Sequence, residues 1–369
     1  MSVATRAPCA TGLIMGMTIA LLAGGELRAA TPPALQIYFI DVEGGQSTLI
    51  VTPQRETLLV DAGYAGEGSI DSVAGDAARA RDPLRILAAM RDAGVERIDY
   101  LMVTHFHRDH IGGIPELAQL VPVSTYIDYG KAYPPEQRAK ADTDRLDVAA
   151  YDAYIAARAR GRHLQPRPGD LLPLKGVRTT VVSSDRATLL QPLPGAGKTN
   201  FACRPSATPT YPEDENPRST GIVLELGRFR FLDIGDLVAQ PLYDLVCPVD
   251  RIGPVDVYLV AHHGNTTVAD PATLAAFQPR VAIVNNAPRK GGRRPLLQML
   301  RQARDLESWQ LHVSGEGGED NAPQERIANI DDGTPYWLKV SANADGSFTV
   351  TNDRTGVVKA YSSRPDQAP

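Results

Sequence analysis

Three cysteines, no long apolar run and no excess of positive charge narrow what this 369-residue chain does. The net charge of -5 gives no overall basic footprint, so electrostatics alone do not favour duplex nucleic acid. A local basic rim around Arg289, Lys290, Arg293 and Arg294 remains available. The apolar stretch Leu13 to Ala23 is shorter than a comfortable membrane span, and nothing later approaches that length. Tandem repeats are absent, and the one biased tract is a Pro-, Gly- and Thr-rich loop over 185–218. Loops of that length in compact domains line a site or are disordered. What is present is a soluble globular composition, with chain enough for one large or two moderate domains.

Residues 1–30 read as a signal peptide: Arg6 gives the basic start, Leu13 to Ala23 the apolar centre, and Leu27–Arg28–Ala29 the cleavage site. A periplasmic or secreted protein is the expectation, with an uncleaved membrane anchor as the alternative. Cys203 and Cys247 remain in the mature chain. They could pair in an oxidising compartment or persist as a buried thiol pair. The divisions expected are 31–320 as a catalytic domain and 321–369 as a C-terminal β extension.

Apolar β-like runs occupy Gln36–Val42, Ser47–Val51 and Thr57–Gly63, the last ending in Asp61 and a glycine. Pro83 opens a helix carrying Leu84, Ile86, Leu87 and Met90, which Gly94 stops. Ile98 to Val103 is a strand, Ile114 to Leu120 a short helix, Val123 to Ile127 a strand, and about Asp142 to Arg160 an Ala-rich helix. Strands follow at Leu171–Leu174, Val177–Val182, Thr220–Leu226 and Phe229–Leu232. Helix Leu237 to Val246, strand Val255–Val260, a helix after Pro271, strand Val281–Val284 and helix Pro295 to about Leu306 continue the alternation. A small β-meander (Tyr336–Val340, Ser347–Thr351, Val357–Tyr361) closes the chain. This order predicts an α/β fold of two sheets covered by helices, with the site where the sheets meet.

Three of the seven histidines fall within Thr104–His105–Phe106–His107–Arg108–Asp109–His110, directly after a strand. His105 and His107, two apart on extended backbone, point the same way, while Asp109 and His110 lie where the chain turns into a helix. Imidazole and carboxylate together suit zinc, manganese or iron. The plain alternative is a surface loop that happens to be rich in histidine. Asp236, after another strand, can bridge two cations; its ordinary use would be a helix cap ahead of Leu237. His163, His312, Trp309 and Trp337 read as structural residues. Gly195–Ala196–Gly197–Lys198–Thr199 echoes a phosphate-binding loop, but Pro192 stands where the first glycine is needed and no helix pattern follows.

The motif THFHRDHIGG resembles the HxHxDH signature of the metallo-β-lactamase superfamily. Asp61, Asp236 in DIGDL and His262 in VAHHGN follow in that superfamily's order. FIDVEGGQSTLI, ENPRSTGIVLELGRFRFLDIGDL and AHHGN further resemble the hydrolase domain of ComEC-type competence proteins. The likeness spans roughly residues 36 to 310. It departs at Gln46, where an acidic residue would stand, and at Asn216–Ser219, where many relatives supply a further histidine. The resemblance implies a four-layer αββα sandwich with the small C-terminal β-meander. It also implies two divalent metals, zinc first, with manganese or iron as alternatives. His105 and His107 would hold one metal; Asp109, His110 and His262 the other; Asp236 would bridge. His262, which directly follows its strand, is preferred over His263. Asp109 would also orient a metal-bound hydroxide, and Asn216, Ser219, His263 and Asn265 are candidate substrate contacts. The resulting expectation is an exported hydrolase acting on a phosphodiester, in nucleic acid or a cell-surface polymer. The alternatives are a β-lactam or lactone hydrolase and a metal-binding protein without turnover.

Overall fold

Alternation along the strands sets the architecture. Ile37 and Phe39 face one way and Tyr38 the other; Leu58 and Val60 oppose Leu59; Val257 and Leu259 oppose Tyr258. These central strands are apolar on both faces and must be covered twice, once by a sheet and once by helices. The structure, a computed structural model, describes residues 1–4, 34–65, 74–130, 147–204, 215–331 and 333–365. The signal-peptide reading and the start of the helix expected from Asp142 fall outside them.

The first sheet begins with β1 (Leu35–Phe39), β2 (Thr48–Val51), β3 (Thr57–Val60), β4 (Ile98–Met102), β5 (Val123–Ile127) and β6 (Arg162–Leu164). The second holds β7 (Leu171–Leu172), β8 (Arg178–Ser184), β9 (Ala187–Thr188), β10 (Gly221–Leu226), β11 (Phe229–Asp233), β12 (Val257–Leu259), β13 (Val281–Val284), β14 (Glu307–His312) and β15 (Ile327–Asn329). The chain then returns to the first sheet with β16 (Leu338–Ala342), β17 (Phe348–Asn352) and β18 (Val358–Tyr361). The order is β18-β17-β16-β1-β2-β3-β4-β5-β6 in one sheet and β15-β14-β13-β12-β11-β10-β8-β7 in the other, with β9 on β8. The C-terminal meander is thus continuous with the first sheet, through the antiparallel β1–β16 pair.

Between the sheets lies a core that includes Ile37, Phe39, Val60, Phe231, Val257 and Trp309, with Phe39 and Phe231 meeting edge to face at 5.7 Å. Helices α1 (Arg81–Ala93), α2 (Arg108–Ile111), α3 (Ile114–Leu120) and α4 (Val148–Arg158) cover the first sheet's outer face. Helices α5 (Ala239–Val246), α6 (Pro271–Phe277) and α7 (Arg294–Gln302) cover the second. This is the expected four-layer αββα sandwich. Helix α1 starts two residues before Pro83, which the first turn tolerates because an amide hydrogen there would have no helical partner. Helix α5 starts at Ala239 rather than Leu237, because Val238 keeps an extended backbone. His163 lies on edge strand β6, not in a connector, and meets buried Asp128 at 2.9 Å, away from the other histidines.

Candidate metal centre

Parallel strands place their carboxyl ends at one pole of the sandwich. There β4 runs into Thr104–His107 and α2, β11 runs into Ile234–Gly235–Asp236, and β12 runs into the turn Ala261–Gly264. The two sheets close tightly here. Gly235 takes φ +52°, and a Cβ on it would meet Thr104 at 2.7 Å. Thr220 donates its amide to Thr104 O at 2.8 Å, and His262 donates its own to Gly235 O at 3.1 Å.

Two groups of ligand atoms result, each within 4.8 Å: His105, His107 and Asp236; and Asp109, His110, Asp236 and His263. His110 Nε2 and His263 Nε2 lie 3.4 and 3.2 Å from Asp236 Oδ2, and His105 Nε2 lies 3.9 Å from it. Asp236 belongs to both groups. It does not cap α5, whose N-terminus carries no side-chain cap bond.

The expected order of the adjacent histidines is reversed. Both take left-handed backbone (φ 50° and 53°), and the turn sends the buried His263 ring into the cluster. The His262 ring lies at the rim, with Nδ1 2.8 Å from Thr267 Oγ1 and Nε2 3.2 Å from Asn216 Nδ2, though still 4.0 Å from Asp236. His263, expected as a substrate contact, is therefore the better placed ligand. Ser219 is fully buried and donates to Asn216 O at 2.8 Å, and Asn265 accepts from Thr266 N at 2.7 Å, so both serve their own turns.

Two neighbours of the cluster, Asp61 and Lys290, stood outside the expected set of site residues. Asp61 is fully buried and accepts from Thr104 N (2.8 Å) and Thr104 Oγ1 (2.7 Å), with His110 Nδ1 at 2.7 Å. It fixes the His110 ring and leaves Nε2 for the centre. Its position at a strand end before a glycine was the available signal. Lys290, expected on a basic rim, instead turns inward: its ammonium donates to Asp109 Oδ2 and, at 2.9 Å, to Tyr64 Oη. Nothing in the local sequence separates Lys290 from Arg293 and Arg294, which pair instead with Glu316 and Asp320.

Charge states suit cation binding. Burial, then repulsion from His110 and His107, holds His105 well below its ordinary value. Burial would raise Asp109 and Asp236, but Lys290 and His110 around the first, and His263 and His110 around the second, hold both well below the carboxylate range. His110 is raised well above its ordinary value: burial opposes this, and Asp236, Asp109 and Asp61 outweigh it. The pocket thus calls for positive charge. His110 Nε2, His263 Nε2 and Asp236 Oδ1 are buried without a hydrogen-bond partner among the described residues, which is unusual unless another group completes them. A mixed imidazole–carboxylate set of this kind fits two divalent cations, of zinc, manganese or iron type.

Asp61→Asn tests the orienting role. Asparagine keeps the left-handed backbone (φ 59°) but turns an amide toward His110 Nδ1, disturbing the tautomer. Metal affinity, measured by competition with a chromogenic chelator, is expected to fall roughly 10- to 100-fold with the fold retained.

Residues 40–199 match the family profile described as "Metallo-beta-lactamase superfamily". No curated protein sequence matches the chain. Among solved structures, it is similar to the metallo-beta-lactamase fold protein YhfI from Bacillus subtilis (12% identity, 75% of this chain and 96% of that one, TM-score 0.43). It is also similar to CmlA, a diiron beta-hydroxylase from Streptomyces venezuelae (13%, 69% and 45%, TM-score 0.38). A third is a Cronobacter sakazakii metallo-beta-lactamase with a HARLDQ motif (17%, 55% and 61%, TM-score 0.31). The chain spans less than half of CmlA, whose hydroxylase chemistry stays with that protein. Asp236 and His263 lie beyond the matched span, but the second sheet brings them onto its histidine motif. Residues 40–199, which hold the histidine motif, are thus similar to the metallo-beta-lactamase superfamily.

Proposed function

We propose that this protein is an exported metal-dependent hydrolase that cleaves a phosphodiester, in nucleic acid or a phosphorylated cell-surface polymer. The observation that carries hydrolysis is Asp236 shared between two buried ligand groups. His105, His107 and Asp236 would hold one cation, and Asp109, His110, His263 and Asp236 the other, with His262 at the rim. A metal pair, when bound, activates water and stabilises charge on the attacking and leaving oxygens. The chain's own residues do the rest. Asp61 holds the His110 ring, the Asp109 carboxylate would orient the water, and Lys290 offers an ammonium to an anionic substrate oxygen.

Support for a phosphodiester comes from that ammonium and from the ComEC-type likeness, in which Asn216–Ser219 replaces a further histidine. Export is supported by the N-terminal reading and by the Cys203–Cys247 disulfide, a bond favoured outside reducing compartments. The acyl alternative, a β-lactam or lactone, rests on the same centre, since an activated water also attacks acyl carbon.

A panel of bis-nitrophenyl phosphate, plasmid DNA, a lactone and nitrocefin, run on the zinc-, manganese- and iron-loaded protein, separates the readings. Turnover is expected on the phosphodiesters. Lys290→Met should raise KM for bis-nitrophenyl phosphate about tenfold, the effect of one charge-assisted contact. Turnover of nitrocefin or lactone alone would replace the phosphodiester reading. Stoichiometric metal without turnover of any compound would favour a binding protein.

A further inference from the structure

The opposite pole of the second sheet carries a feature that hydrolysis does not use. Where the metal centre lies beyond the carboxyl ends of β11 and β12, a cavity of about 980 Å³ lies at the amino-terminal ends of β11 to β14. Its walls carry six cationic side chains, Lys198, Arg228, Arg230, Arg280, Arg304 and Arg364, against two carboxylates, Glu225 and Asp305. In a chain of net charge -5, this concentration is local and of opposite sign to the whole.

Four of the six are held rigidly. Arg230 donates to Pro254 O (2.7 Å) and Ile252 O (2.9 Å), and Arg364 to Val255 O (2.9 Å) and Gln278 O (2.5 Å). The Arg280 guanidinium lies over the Phe348 and Tyr361 rings at 5.2 and 5.6 Å. Arg228 donates to Arg364 O, and its Nε is buried without a hydrogen-bond partner among the described residues. Carbonyls and rings orient a guanidinium but do not neutralise it. Glu225 pairs with Arg230 at 3.2 Å, and Asp256 lies 3.5 and 3.6 Å from Arg280 and Arg364. Arg228, Arg304 and Lys198 form no ion pair within 4.0 Å among the described residues. Burial, then repulsion from Arg280 and Arg230 against the attraction of Asp256, lowers Arg364 below its ordinary value. Positive charge is thus in excess.

Lys198 reaches this cavity from Gly195–Ala196–Gly197–Lys198–Thr199. Among the described residues no helix directly follows that stretch, and the amides of Ala196 and Gly197 are spent on Leu193 O and Asp250 O, so it is no nucleotide loop. It delivers a lysine to a preorganised set of arginines all the same. Planar guanidiniums match phosphate oxygens, a cavity of this size takes a small organic anion, and Leu274 and Leu306 give it an apolar wall. We propose that this cavity is a second binding site, separate from the metal centre, for a multiply phosphorylated anion.

The test is isothermal titration of the chelator-treated, full-length protein with inorganic tripolyphosphate at fixed ionic strength. Saturable one-to-one binding is expected, weakened about tenfold or more in Lys198→Glu/Arg304→Glu, whose two positions are exposed, and unchanged in His110→Ala. If the double reversal disturbs folding, as read by its thermal midpoint, Arg304→Gln alone should still weaken binding measurably. Absence of saturable binding would overturn the proposal. So would binding that is lost in His110→Ala and kept in the double variant, which would place the anion at the metal centre.

Discussion

Asp236→Ala is expected to leave the protein without bound metal and without turnover, while its far-ultraviolet spectrum stays unchanged. Asp236 is the one residue in both ligand groups, with its Oδ2 within 4.0 Å of His105, His110, His262 and His263. Removing any histidine takes one ligand from one group; removing this carboxylate takes one from each and the negative charge that offsets two cations. The fold should survive, because Asp236 caps no helix and its loss removes a buried charge rather than a packing group. Metal per chain by inductively coupled plasma mass spectrometry, with turnover of bis-nitrophenyl phosphate, reads the result. Full metal content in the variant would remove the shared-carboxylate centre.

Reducing the Cys203–Cys247 bond is expected to lower stability by about 4 kcal/mol, the chain-entropy value for a closed loop of this length. With about 2.1 cal/mol/K of unfolding entropy per residue, that is a fall of about 6 °C in Tm. The bond ties the loop that carries Lys198 to the end of helix α5, with Cα atoms 5.8 Å apart and the two cysteines 44 positions apart in the chain. Asn200 makes a parallel tether, donating to Val246 O and Ala272 O at 2.9 Å each, so the reduced protein should unfold earlier yet begin from the same fold. Differential scanning calorimetry with and without reductant, beside Cys203→Ser/Cys247→Ser, measures this. An unchanged midpoint would mean the loop is held by its other contacts alone.

The layered fold was legible because its signals are local. Short continuous apolar runs such as Ile37–Phe39 and Val257–Leu259 name strands buried on both faces, and the histidine motif follows another such run. What was not legible depends on dihedral angles and on chain far away. A reading of His262 as the residue next after a strand assumes continued extension, whereas two left-handed residues rotate the turn and bring in His263. The inward course of Lys290 is set by Tyr64 and Asp109, 226 and 181 residues distant in sequence. Gln46, noted only as a departure from an acidic residue, donates to Asp233 at 3.0 and 3.1 Å across 187 residues. Asp233 is pushed up to about 7, chiefly by burial, and a second carboxylate at position 46 would meet it. The amide there is a packing solution to a crowded seam.

The shared carboxylate also makes the centre a latch. The ligands of α2 come from one sheet, and Asp236 and His263 from the other, more than 120 positions along the chain. A cation held between them is bound only while both sheets are docked, so it acts on the assembled state and not on either part. Free metal at one hundred times its dissociation constant would then add about 2.7 kcal/mol to the cohesion of the sandwich. Metal supply would therefore set the lifetime of the folded protein as well as its activity, and a chain starved of metal would be the readier substrate for proteases.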